Sequence, residues 1–169
     1  MQSLALLTST PKMNLSDLVV CPASVVPVWV QEVSVHFPEI SVQVLQKGNT
    51  FRNSKKECLW ISSYTQMRRH KSLLEKNKFR CAILDEAQMI KNPQAKVTQA
   101  CLAINAKYRL ALSGTPIENS ALDIWSIFRF LMPGLLGGKR ELETELSQDS
   151  QKAYMLIKKQ VSPFIVRRL

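Results

Sequence analysis

Short apolar runs that end in polar turns alternate along this chain with longer stretches whose apolar residues return every three or four positions. That alternation predicts an α/β domain built on a mostly parallel sheet. Leu18 to Cys21 reads as a short buried strand closed by Pro22, and Val25 to Phe37 as the helix after it. Pro27 falls in the first turn of that helix, where a missing N–H is tolerated. Six valines between Val25 and Val35 give the segment a strand-like composition, so its helical assignment leans on the order of motifs rather than on propensity.

Val42 to Leu45 and Cys58 to Ile61 are further strand candidates, separated by a basic turn from Lys47 to Lys56. Thr65 to Lys76 predicts one helix with Met67, Leu73 and Leu74 facing inward. Pro93 to Ala106 predicts another, with Asn92 as cap and Pro93 at the first helical position. Ala121 to Met132 and Gln151 to Gln160 read as helices, and the apolar runs from Phe79 and from Tyr108 as strands.

A length of 169 residues with 46% hydrophobic content suits one globular domain with a substantial core. Five glycines and eight prolines leave no room for a low-complexity linker. Cys21, Cys58, Cys81 and Cys101 are scattered without C-x-x-C spacing and read as reduced core thiols ahead of zinc ligands, which points to a cytoplasmic or nuclear setting. Leu4 to Leu7 is too short for a secretory signal and lacks the preceding positive charges. No run approaches the ~20 apolar residues of a spanning helix, so no membrane is expected as a partner.

The formal net charge of +10 matters because it is concentrated. Residues 40 to 84 hold ten Lys and Arg, from Lys47 to Arg80, against Glu57 and Glu75 alone. A solvated helix face is the bland explanation of such a run. So one-sided a block is also an electrostatic footprint for phosphate backbones. Trp29, Trp60 and Trp125 sit among aliphatic residues and read as core packing ahead of base stacking. His36 and His70 have no partners at metal spacing.

Candidate chemistry gathers at the ends of two apolar runs. FRCAILDEAQ, Phe79 to Gln88, ends in adjacent carboxylates, Asp85 and Glu86. YRLALSGTPIEN, Tyr108 to Asn119, breaks into a small polar turn with Ser113, Gly114 and Thr115. In a parallel sheet the carboxyl ends of the strands line one crevice, which is where ligands bind. One carboxylate there can hold Mg²⁺, largely through its waters, while the next orients and deprotonates an attacking water. Gly114 admits close approach of backbone amides to a phosphate or a nucleic-acid strand. Gln88 either relays between the acids and the Ser113 turn or caps the next segment. By itself, an acid pair after a strand is equally an ordinary helix cap, and SGTP an ordinary turn.

The order of segments adds to this. Leu18 to Val33, Ile61 to Arg69, Ile83 to Asn92, Tyr108 to Gly137 and Pro163 to Leu169 together resemble the successive landmarks of the first motor lobe of the Swi/Snf-type ATPases in helicase superfamily two. The resemblance covers nearly the entire chain. It implies a RecA-like fold of the P-loop NTPase type, with ATP and Mg²⁺ as cofactors of the intact motor and double-stranded DNA as the track. DEAQ, Asp85 to Gln88, then corresponds to the Walker B element: Asp85 for Mg²⁺, Glu86 for water, and Gln88 beside the nucleotide. Ser113, Gly114 and Thr115 correspond to the element that couples hydrolysis to nucleic-acid movement. Ser24, Ser63 and Thr65, with Arg68 and Arg69, lie where the family's strand-contacting motifs meet phosphates, a contact that positions without reading bases.

The family's Walker A loop, G-x-x-x-x-G-K-S/T, has no match among the 169 residues. Gly134 to Arg140 imitates it with wrong glycine spacing, Arg140 in place of a hydroxyl, and a helix rather than a strand before it. Gln2 to Leu7 resembles the family's apolar helix immediately after that loop, so the resemblance implies a lobe that begins just past its phosphate cradle and lacks its Walker A strand. The Walker A segment and the second motor lobe are then partners, RNA polymerase or a nucleosome the complexes to be remodelled, and bacterial cytoplasm or the nucleus the setting. Two functions stand as expectations. The first is a lobe of a double-stranded DNA translocase, inactive in isolation and short of a sheet strand. The second is a non-catalytic DNA- or protein-binding module derived from such a lobe.

Overall fold

The computed structural model describes residues 2–9, 13–46, 51, 57–114 and 120–166. Five parallel strands form one sheet in the order β2-β3-β1-β4-β5. They are β1 (Asp17–Cys21), β2 (Val42–Val44), β3 (Leu59–Ser63), β4 (Lys78–Leu84) and β5 (Asn105–Ala111). β1 lies at the centre, with Leu18 opposite Trp60 of β3 on one side and Ala82 of β4 on the other. β1, β3 and β4 are buried almost throughout, and only a sheet covered on both faces accommodates such continuous apolar runs.

Alternate side chains of the central strands feed two separate cores, as the pleat requires. Val19, Cys21, Ile61, Cys81 and Ile83 pack against Leu4 and Leu7 of α1 (Gln2–Ser9) and against Trp29 and Val33 of α2 (Val26–His36). Leu18, Val20, Trp60, Ala82 and Leu84 pack on the other face. There they meet α3 (Tyr64–Arg69), α4 (Lys71–Lys76), α5 (Lys96–Leu102) and α6 (Ala121–Leu131) through Met67, Leu74, Cys101 and Phe130. The back of α6 is apolar as well: Ile124, Trp125 and Phe128 receive Leu142 of α7 (Lys139–Gln148) and Ile157 and Val161 of α8 (Ser150–Val161). That third cluster explains why α6 is buried nearly all round.

The fold class is the predicted one, and several elements differ in detail. The predicted helix from Thr65 to Lys76 is two helices. The His70 N–H donates to both Gln66 O and Met67 O, closing α3, and the His70 carbonyl opens α4. No proline or glycine marks the break, so apolar spacing passes through it unseen. The helix predicted over Pro93 to Ala106 shrinks to Lys96–Leu102, with Ala95 at its cap. Asn92 builds the preceding turn instead, its Oδ1 accepting from Gln94 N at 2.9 Å. Ala106 belongs to β5, which starts earlier than its apolar run because pairing with β4 extends it. Helix α7 is not among the predicted elements.

Arg80 leaves the basic block in which composition placed it. It is 8% exposed, and its Nε donates to Asp17 Oδ1 at 2.9 Å while Nη2 pairs with Asp17 Oδ2. Nη2 also donates to Leu7 O at 2.9 Å and ties α1 to the sheet. Hydrogen bonding to Asp17 pushes the guanidinium pKa up. Lys47, Arg52, Lys55 and Lys56 lie outside the described residues.

Candidate active site

The carboxyl ends of β1, β3, β4 and β5 share one edge, where the chain leaves each strand into a polar turn. After β4, the Asp85 N–H donates to Val20 O at 2.8 Å, which fixes the turn against β1. Glu86 then adopts φ 53° and ψ 53°, a left-handed conformation that a residue with a Cβ adopts at a cost of order 1–2 kcal/mol. Ala87 N donates to Leu112 O and Leu112 N to Leu84 O, each at 2.8 Å, so β5 holds the turn in place. Reversal at Glu86 lets the next four residues, Ala87–Ile90, form a short 3-10 turn across the sheet's edge.

Three of the expected residues form one hydrogen-bonded chain. Gln88 Nε2 donates to Glu86 Oε2 at 2.6 Å, and Ser113 Oγ donates to Gln88 Oε1 at 2.8 Å. The relay and the cap were alternatives for Gln88 in the sequence, and its amide joins the acid turn to the Ser113 turn. Among the described residues nothing would lie within 4 Å of a Cβ at Gly114. Thr115 lies outside the described residues.

Asp85 is held from three directions. Trp29 Nε1 donates to its Oδ2 at 2.8 Å, the Glu86 N–H to its Oδ1 at 3.0 Å, and Tyr64 OH to its backbone carbonyl at 2.8 Å. Sequence reasoning missed Trp29 and Tyr64. Their only signal was that a buried indole or phenol seeks a partner for its polar end. Burial, and then the Asp85 charge, pushes the neighbouring Cys21 thiol up to about 12, so it stays protonated. Burial also drives the Tyr64 phenol upward, and it remains a donor.

The expected phosphate-contacting residues lie on the same edge, after β1 and β3. Ser24 is exposed in the turn Ala23–Val25. Thr65, Arg68 and Arg69 are exposed on α3. Ser63 differs: it is buried, and its Oγ accepts from Gln66 N at 3.3 Å as the cap of α3. The glycine-rich imitation of a phosphate loop proves to be a helix start. Gly138 N donates to Glu141 Oε2 at 2.9 Å, so a carboxylate of the chain itself answers the free amide. That loop borders a cleft of about 280 Å³ under Trp125, Arg129 and Lys139, to which no residue of the Asp85 turn contributes.

No cluster of three or more His, Cys, Asp or Glu able to cage a metal exists among the described residues. Asp85 nonetheless suits Mg²⁺, which takes one or two carboxylates, keeps several waters and completes its shell on phosphates. Each Asp85 oxygen accepts one neutral donor and retains lone pairs.

Comparison with known proteins identifies the family and the fold. The SNF2-related domain matches residues 1–169. A protein of Mycoplasma pneumoniae named an uncharacterized ATP-dependent helicase is 36% identical over 161 residues, covering 92% of this chain and 16% of its own length. The TATA-binding protein-associated factor MOT1 of Saccharomyces cerevisiae is 35% identical, with 92% of this chain and 9% of its own length covered. The chain thus spans about a sixth or less of these relatives. The Sulfolobus solfataricus SWI2/SNF2 ATPase core in complex with dsDNA superposes with a TM-score of 0.81 at 37% identity, over 92% of this chain and 34% of that one. The chain belongs to the SNF2-related family and is an N-terminal RecA-like lobe of the Swi/Snf type, part of an SNF2-family ATPase motor domain.

Proposed function

We propose that this lobe serves an ATP-driven translocase on double-stranded DNA that remodels protein–DNA complexes rather than separating strands. The observation that carries the reading is the chain from Glu86 through Gln88 to Ser113, which ties the acid turn to the turn assigned to coupling. A structural relative bound to dsDNA supports the choice of track. Asp85 would hold Mg²⁺, whose charge offsets that of the ATP phosphates. Glu86 orients and deprotonates the attacking water, while the Gln88 amide fixes its carboxylate. Ser113 senses the state of Glu86 through that amide, and Thr115 joins Ser113 and Gly114 in passing it on. Exposed Arg68 and Arg69 with Ser24 and Thr65 meet DNA phosphates, and the capping hydroxyl of Ser63 orders the helix that presents them.

No segment of the chain matches a phosphate-cradling loop, so we assign the phosphates to a Walker A segment and the remaining charge to a second lobe. Hydrolysis by the chain alone is then negligible. RNA polymerase or a nucleosome would be the remodelled complex, in bacterial cytoplasm or a nucleus respectively. In a motor that includes those parts, Glu86→Gln lowers turnover on the order of a hundred- to ten-thousandfold while ATP binding persists. Unchanged turnover would remove Glu86 from its role. Exposed Arg68 and Arg69 on α3 would equally serve a second reading, a non-catalytic DNA- or protein-binding module. That reading is upheld if the same motor binds DNA but neither binds nor hydrolyses ATP.

A further inference from the structure

We infer that Trp29 is a positioning residue for the Asp85 carboxylate and thereby sets the affinity of the divalent-cation site. The inference rests on reading Asp85 as the cation ligand. Trp29 lies on α2, in the core beneath the sheet, and is 9% exposed. A buried indole N–H needs an acceptor, and a backbone carbonyl ordinarily suffices. Trp125 shows that habit, donating to Gly137 O at 3.1 Å. Trp29 instead donates to Oδ2 of Asp85, 56 positions away in sequence, at 2.8 Å.

The chemistry of this donor distinguishes it from a structural ion pair. An indole N–H carries no charge, so it fixes the rotation of the carboxylate without cancelling the charge that a cation requires. Oδ1 is held by another neutral donor, the Glu86 N–H, and Tyr64 OH fixes the peptide behind them. Of these donors, only Trp29 reaches the side chain from another element. Without it the carboxylate regains a rotation that cation binding must then freeze. Groups that orient a metal ligand in this way typically contribute tenfold or more to affinity.

The test uses the chain labelled with ¹⁵N at its three tryptophans, with Mn²⁺ alone as probe. Substoichiometric Mn²⁺ is expected to broaden the Trp29 indole resonance more strongly than those of Trp60 and Trp125, and Asp85→Asn abolishes the effect. Trp29→Phe keeps an aromatic ring in the core and is expected to weaken Mn²⁺ binding, read from water-proton relaxation, about tenfold. Unmoved resonances of Trp60 and Trp125 report an intact fold in that variant. Should Trp29→Phe misfold, titration of the wild-type chain with diamagnetic Mg²⁺ decides, since it must shift the Trp29 indole resonance. Mn²⁺ binding that depends on Asp85 but is unchanged in Trp29→Phe, or a Trp29 resonance insensitive to Mg²⁺, overturns the inference and leaves the cation site standing. Mn²⁺ binding that ignores Asp85→Asn overturns both.

Discussion

Asp17 and Asp85 sit at opposite ends of the sheet, and each accepts donors on both carboxylate oxygens. Their partners differ in kind. Asp17 faces the buried guanidinium of Arg80 and also accepts from Cys81 N at 3.1 Å, so its charge is neutralised within the fold. Asp85 faces an indole and an amide, which orient it and leave its charge available. The first arrangement locks strands and α1 together at the amino-terminal edge. The second orients a carboxylate with neutral donors and leaves its charge unpaired by them.

The contrast predicts unequal responses to similar substitutions. Asp17→Ala strands the buried Arg80 cation and is expected to destabilise the chain by about 3–5 kcal/mol in chemical denaturation. A double variant, Asp17→Leu with Arg80→Leu, removes both charges and recovers most of that loss; an additive loss would show that the pair is not the cause. Asp85→Asn keeps an acceptor for Trp29 but turns an NH₂ donor toward the Glu86 N–H, and is expected to cost about 1–3 kcal/mol, below the loss in Asp17→Ala, while abolishing cation binding. An equal loss of stability there would erase the distinction between the two aspartates.

Backbone strain sharpens the same comparison, because a left-handed conformation is adopted by a glycine in one turn and by a glutamate in another. Gly137, at φ 65°, does so without a Cβ, and a Cβ there would approach Glu141 Oε2 to 3.0 Å. Gly137→Ala is expected to lower stability by about 1–2 kcal/mol. Glu86→Gly, by relieving its strain, is expected to raise stability slightly, by about 1 kcal/mol, although it removes the carboxylate. No gain on Glu86→Gly in thermal unfolding would show that the strain relieved does not exceed the lost Gln88 contact.

A separate effect concerns pH. Burial pushes the Cys21 and Cys101 thiols up to about 12 and that of Cys81 to about 11. An unfolded thiol titrates near 8.5 and a buried one later, so their contribution is whole below about pH 8 and declines as pH rises toward 11 to 12. Denaturation midpoints at pH 8 and pH 10 should differ in that direction, and Cys101→Ala should reduce the difference.

Much of this was legible in the residues. Continuous apolar runs at β1, β3 and β4 announce a sheet covered on both faces, and the acids after β4 announce an edge with chemistry. The break at His70 was hidden because no breaker residue marks it. Arg80 was misread because charge counted along the chain does not reveal what faces it across the sheet. Trp29 was read as packing, which is true of its ring and not of its N–H.

Local sequence determined what the strand and helix periods and strand-end polarity can encode: the α/β class, the order of the strands and of most helices, and the pair Asp85 and Glu86 with Ser113 as candidate chemistry. Only the tertiary structure decided the partners. Trp29 to Asp85, Arg80 to Asp17 and Ser113 to Gln88 join positions 56, 63 and 25 residues apart. Such contacts depend on which strands become neighbours and on the register between them, and both are settled by burying apolar area over the whole domain rather than by any local preference.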